Sequence, residues 1–178
     1  MDEVRRERWS DADLEEVIEQ VDLDDAGQTF TAEFVEGFDI IRKYGLAVSI
    51  FGSSKSQTDD EEYKQAEELA RRLSKNGFAV ITGGSSGIMQ AANKGAFEAG
   101  GASVGLNIKL PDLQSYNPYL TEQFEFDHFF VRKVLLTYAS EVYVYFPGGF
   151  GTLDELFEIV TLVQTKKIRR VPILLFDK

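Results

Sequence analysis

The sequence predicts an α/β protein of Rossmann-like, three-layer fold: a parallel sheet flanked by helices. Three observations point that way. Short apolar runs alternate with longer amphipathic segments along most of the chain. The runs are apolar at successive positions, as strands covered on both faces are. Three glycine-rich turns stand where a strand hands over to a helix, and the chain's 178 residues, 43% hydrophobic and 28% charged, can bury a substantial core.

Taken in order, residues 1–28 are acidic and polar, with a weak helical pattern in Leu14, Val17, Ile18 and Val21 and a cap-like Ser10 and Asp13. They read as an acidic N-terminal appendage to a Rossmann-like nucleotide-binding domain over residues 29–178. From Thr29 to Tyr44 the apolar residues Phe30, Phe34, Val35, Phe38 and Ile41 recur at helical spacing until Gly45. Leu46–Phe51 is a buried strand that stops at Gly52-Ser53-Ser54. Asp59–Asn76 is an amphipathic helix closed by Gly77, and Phe78–Thr82 a second strand, halted by Gly83-Gly84-Ser85-Ser86-Gly87.

Ile88–Ala99 is helical, and Ala102–Asn107 is a third strand. After a loop with Pro111 and Asn117-Pro118 come a short extended piece at Phe124–Phe126 and a helix near Phe130–Ala139. Glu141–Phe146 is the fourth main strand, Thr152–Lys166 an apolar helix with Leu153, Leu156, Phe157, Val160 and Val163 as its core face, and Val171–Phe176 the fifth.

Composition removes several functions. There is no cysteine, so disulfides, thiolate nucleophiles and zinc–thiolate sites are excluded. Thirty acidic residues against 19 basic give a net charge of -11, which disfavours nucleic-acid backbone as a partner. No run approaches the roughly 20 apolar residues needed to cross a bilayer, and the acidic start is not a signal peptide. A cytoplasmic protein that engages neither membrane nor nucleic acid is expected.

The three turns lie at the carboxyl ends of strands, where ligands bind in such folds. Glycine permits close backbone approach, and free N–H groups at a helix start attract anions. A phosphate is the natural guest, although glycines also serve simply to make tight connections. No turn ends in the Gly-Lys-Ser/Thr of a P-loop, and G-x-G-x-x-G fails because Gly149-Phe150-Gly151 is followed by Asp154 at the final position. A G-x-S-x-G elbow is missing, and His128 is the single histidine. No metal and no cofactor are expected.

Pro147-Gly148-Gly149-Phe150-Gly151-Thr152-Leu153-Asp154-Glu155 resembles the P-G-G-x-G-T-x-x-E motif of the Lonely Guy family, long labelled lysine decarboxylases. Arg132-Lys133 is similar to that family's R-K pair, and Gly83–Met89 to its G-G-G-x-x-G-h-M turn. The likeness runs from about Phe34 to Phe176. It implies hydrolysis of a nucleoside 5′-monophosphate at its N-glycosidic bond, releasing ribose 5-phosphate and adenine or an N6-substituted, cytokinin-type adenine. By the same resemblance Arg132 and Glu155 are the catalytic pair. Lys133, Gly149, Gly151, Thr152 and Thr161 contact substrate, with Gly83, Gly84, Ser85 and Gly148 completing the site. A homodimer is also implied.

The chemistry is consistent with the residues, since a fixed carboxylate stabilises an oxocarbenium-like state. In the first turn of a helix, Glu155 is expected to be ionised at neutral pH. Thr152 and Glu155 can equally be read as a capping box, and Arg132-Lys133 as a solvated helix start. Ser85-Ser86 departs from the family's usual Gly-Pro, Gln90 from its usual glutamate or glycine, and the chain ends where relatives continue into a helix. A shortened chain with an apolar patch for a partner subunit is therefore expected. The competing function is a non-catalytic nucleotide-binding or molybdenum-cofactor carrier protein of the same fold, which needs the glycine turns but not the Arg132 and Glu155 pair.

Overall fold

A computed structural model describes residues 25–109 and 117–176. The chain divides into two compact units at Gly45 and Leu46. The described part of the first is helix α1 (Asp25–Arg42), whose Phe34, Phe38 and Ile41 are buried and whose Phe34 and Phe38 rings are 6.4 Å apart. The weak helical pattern at Leu14–Val21 lies outside the described residues.

The second unit holds strands β1 (Ala47–Phe51), β2 (Ala79–Thr82), β3 (Ser103–Ile108), β4 (Glu122–Phe126), β5 (Val142–Tyr145) and β6 (Ile173–Leu175). Its helices are α2 (Glu61–Lys75), α3 (Ile88–Glu98), α4 (Phe129–Tyr138) and α5 (Phe150–Gln164). The strands form one sheet in the order β4-β3-β2-β1-β5-β6, every pairing parallel. The expected α/β three-layer class is what the chain adopts. The extended piece at Phe124–Phe126 belongs to a full edge strand, β4, paired with β3.

β1 and β2 are buried at every position because each face has its own helices. On one face Val48, Ile50, Val80 and Val144 pack with Tyr63, Ala66 and Ala70 of α2 and Ile88, Ala91, Ala92 and Ala96 of α3. On the other, Ser49 hydrogen-bonds Ser140 just after α4 at 2.7 Å, and the Tyr143 hydroxyl donates to the Thr137 carbonyl of α4. The stacked rings of Phe51 and Tyr145, 5.0 Å apart, share that second face.

Helix α5 differs from its expected packing. Only Ile159 is fully buried, whereas Leu153, Phe157 and Val160 are exposed, Phe157 at 62%. The sheet on that side ends in the three-residue strand β6, which is itself largely exposed, so one row of α5 finds cover and the apolar row beside it does not. No helix among the described residues is long and apolar enough to cross a membrane.

Candidate functional site

Strands β1 to β4 are laid down in one direction from β1, and β5 then returns to its other side, so the topological switch point falls between β1 and β5. The turns after those two strands, Gly52–Ser54 and Pro147–Gly149, flank it, and Ser53 N–H donates to the Pro147 carbonyl at 3.0 Å. The turn after β2 is stitched to the first by Ile88 N–H to the Ser53 carbonyl, 3.0 Å, and by the Ser86 hydroxyl to the Ser54 carbonyl, 2.9 Å. One rim thus carries all three glycine turns.

Arg132, in the first turn of α4, reaches across β3. Its Nε donates to the Leu106 carbonyl at 2.6 Å, and its guanidinium lies so close to Gly83 that a Cβ there would collide with it. A side chain at 83 would displace that guanidinium and the Met89 sulfur. Burial lowers the proton affinity of Arg132, and the charge of Glu155 opposes that effect. Glu155 is half-buried on α5, its carbonyl accepting the Tyr145 hydroxyl at 3.2 Å. Among the described residues no ion pair within 4.0 Å joins Glu155 to Arg132 or to any other cation. Cation and carboxylate sense each other without touching.

That arrangement corrects two expectations. The helix starts at Phe150, capped by the extended backbone of Gly149 with no side-chain hydrogen bond, so Thr152 lies inside it, over Gly148, and the capping-box reading fails. Glu155 consequently sits in the second turn, where the helix-end field has decayed. Burial, with no contacting cation, raises its pKa to about 7 against the attraction of Arg132, so it is not fully ionised at neutral pH.

The remaining expected residues divide. Gly83 and Gly84 are buried and Ser85 half-buried, while Gly148 and Gly149 are exposed on the opposite turn and Gly151 is exposed at the start of α5. Lys133 is engaged elsewhere: its Nζ donates to Asp154 Oδ1 at 2.8 Å and lies 3.3 Å from Glu158 Oε2. Thr161 is exposed and follows Glu155 by six residues, about 9 Å along the helix axis. Arg132 thus lies beside the Gly83 turn and within the field of Glu155, and Thr161 follows further along α5.

Sequence reasoning missed the polar groups that fix the second turn. Thr82 Oγ1 accepts Gly84 N–H at 2.9 Å and donates to Asn93 Oδ1 at 2.6 Å. Asn117 Nδ2 donates to the same Asn93 oxygen at 3.0 Å and to the Ser85 carbonyl at 3.4 Å. Asn107 Nδ2 donates to the Gly84 carbonyl at 3.2 Å. Asn93 is fully buried on the core-facing side of α3, and Asn107 stands inside β3, next to its last residue. An asparagine in a strand or on an apolar helix face is the signal that could have found them.

Comparison with known proteins adds a family. The model of the family described as possible lysine decarboxylase matches residues 89–178, from α3 through the last strand. A probable cytokinin riboside 5′-monophosphate phosphoribohydrolase of Arabidopsis thaliana is 28% identical over 120 residues, 66% of this chain and 60% of that protein. An uncharacterized protein of Archaeoglobus fulgidus is 26% identical over 69% of this chain and 78% of its own length. Against most of the curated phosphoribohydrolases it matches, the chain spans little more than half their length, 56% and 58% for a second Arabidopsis protein and one from Mycobacterium tuberculosis.

Among solved structures, that of TM1055 is 32% identical with a TM-score of 0.56, covering 66% of this chain and 69% of the other. The molybdenum cofactor carrier protein of Chlamydomonas reinhardtii is 26% identical with a TM-score of 0.58, covering 73% and 75%. With its model matched over half the sequence and its motifs gathered on one rim of the sheet, this chain belongs to the Lonely Guy family, the proteins described as possible lysine decarboxylases.

Proposed function

We propose that the protein is a nucleoside 5′-monophosphate phosphoribohydrolase that cleaves the N-glycosidic bond of AMP or an N6-substituted AMP. The observation that carries this reading is the pair Arg132 and Glu155, which lie within each other's field without forming an ion pair. Main-chain amides of the Gly83–Gly87 and Pro147–Gly151 turns, with the Arg132 guanidinium, hold the phosphoryl end. The ribose then lies toward Glu155.

As the bond between C1′ and the base nitrogen lengthens, its electron pair leaves with the base and positive charge grows on the ribosyl ring, facing the Glu155 carboxylate. Water bonds to C1′ and gives up a proton, the base nitrogen gains one, and the products are free base and ribose 5-phosphate. The ionised form of Glu155 serves both the stabilisation and the orientation of that water. Activity therefore rises with pH through the neutral region.

The apolar row Phe150, Leu153, Phe157 and Val160, spaced by three, four and three residues and exposed from 39% to 93%, suits the seam of a homodimer. We read it so, in a protein working in the cytoplasm without nucleic acid or membrane. Sedimentation of wild type and Phe157→Glu tests this; a wild type that sediments as a monomer at micromolar concentration contradicts it.

A second reading is favoured by one observation, the likeness to the Chlamydomonas molybdenum cofactor carrier: binding of a phosphorylated ligand without turnover. Incubation with AMP, N6-substituted AMP and other nucleoside monophosphates, followed by chromatography for free base, separates the two. Base release that disappears in Glu155→Gln supports hydrolysis. Nucleotide binding with no base released from any of them supports the carrier.

A further inference from the structure

Helix α5 presents three carboxylates beside the site, Asp154, Glu155 and Glu158, and a single lysine answers two of them. Lys133 Nζ contacts Asp154 at 2.8 Å and Glu158 at 3.3 Å. The two are not equivalent, for the Asp154 side chain is 60% exposed and that of Glu158 only 24%. Glu158 Oε2 is buried and receives no hydrogen bond of good geometry. One oxygen of this carboxylate has given up solvent beside the Lys133 charge, which a residue serving only solubility has no reason to do.

Glu155 lies between these two acids in sequence. The charges that face it are Arg132 and Lys133 from α4 and Asp154 and Glu158 from its own helix, with the Tyr145 hydroxyl of β5 bound to its carbonyl. Lys133 is thus a second cation acting on Glu155, and its ammonium is drawn to the neighbouring carboxylates instead.

We propose that Glu158 is a positioning residue: together with Asp154 it retains the Lys133 ammonium, pinning α5 to α4 and leaving Glu155 to face Arg132 with no cation in contact. This rests on the reading of Glu155 as the catalytic carboxylate. Removing the Glu158 charge releases Lys133 toward Glu155 and withdraws a negative neighbour, and both changes favour the ionised form of Glu155.

The test is a carbon-13 NMR titration of side-chain carboxyls in the full chain, the Glu155 signal being assigned by its loss in Glu155→Gln, alongside the pH profile of base release from AMP. In Glu158→Gln the Glu155 midpoint should fall by about one pH unit, and the acid limb of kcat/KM should move with it. Lys133→Met should move the midpoint up, and serves as the readout if Glu158→Gln does not fold. A midpoint that stays put in either folded variant, or moves the other way, overturns the proposal. Wild type that releases no base while the midpoints shift as expected leaves the positioning of Glu155 standing and sinks the hydrolase reading.

Discussion

Two part-buried glutamates on opposite faces of the sheet meet opposite fates. For Glu67 of α2, as for the more deeply buried Glu155, burial is the largest influence and raises the pKa. Glu67, however, accepts a hydrogen bond from Arg71 at 2.6 Å and another from Lys94 at 3.0 Å, and Arg71 is shared with Glu68 and Glu98. Those bonds bring its pKa below the ordinary value, whereas Glu155, with Arg132 in its field but not in contact, stays near 7. Direct contact with two cations, together with shallower burial, separates Glu67 from Glu155. Where the fold only needs holding together the charge is matched, and an unmatched carboxylate marks the place where a ligand is expected.

The largest effect should be on catalysis. Glu155→Gln keeps the shape of the side chain and removes its charge, so kcat for base release should fall roughly 10²- to 10³-fold while AMP still binds. Measuring both on one preparation sharpens the contrast, because a variant that loses binding and turnover together has lost the site and not its carboxylate.

The same substitution should stabilise the protein. The folded-state pKa of Glu155 is raised above its unfolded value of 4.5, to about 7, so the folded state holds the proton more tightly and stability declines as pH rises from 4.5 through 7. Above that range the wild type carries a penalty of up to about 3 kcal/mol that a glutamine does not. Urea denaturation should show Glu155→Gln more stable than wild type at pH 8 and equal to it near pH 4; equal stabilities at pH 8 break the comparison.

Much of this was legible beforehand, and the parts that were not have a common cause. Alternating apolar runs and amphipathic segments report burial, and burial along β1 and β2 is what makes a doubly covered parallel sheet. The Arg132 and Glu155 pairing was readable only through the motif, since 23 positions separate them and their meeting depends on α4 and α5 lying side by side. A helix-end argument overstates the ionisation of Glu155 because it works with sequence position, whereas the environment of Glu155 is set by burial and by Lys133 being engaged elsewhere. Likewise the pattern of α5 declares it apolar but cannot say which row meets the sheet. Asn93 stands out in the sequence only as an amide on an apolar helix face, and the partners that give it and Asn117 a role come from distant elements.

A smaller effect should come from the second turn. Gly87 has φ +66 and ψ −132, and a Cβ there would strike the Ser53 carbonyl that accepts Ile88 N–H. That obstacle is backbone and cannot swing aside. Gly87→Ala should cost about 1–3 kcal/mol and, by pushing two turns apart, raise KM for AMP more than it lowers kcat. An alanine that leaves both stability and KM unchanged detaches the rim's geometry from binding.

The smallest effect completes the comparison at Glu67. Its folded-state pKa is depressed, so its contribution is present above the unfolded value of 4.5 and lost as pH falls through the folded one. Glu67→Gln should therefore be less stable than wild type at pH 8, by about 1 kcal/mol, and the deficit should vanish in acid. It should also shrink in 1 M salt, because the partners Arg71 and Lys94 are each about a quarter exposed and their field is screened. The two glutamine variants thus depart from wild type in opposite directions at pH 8 and converge on it below 4.5. If both depart in the same direction, the difference between a matched and an unmatched carboxylate is not what distinguishes the two faces of this sheet.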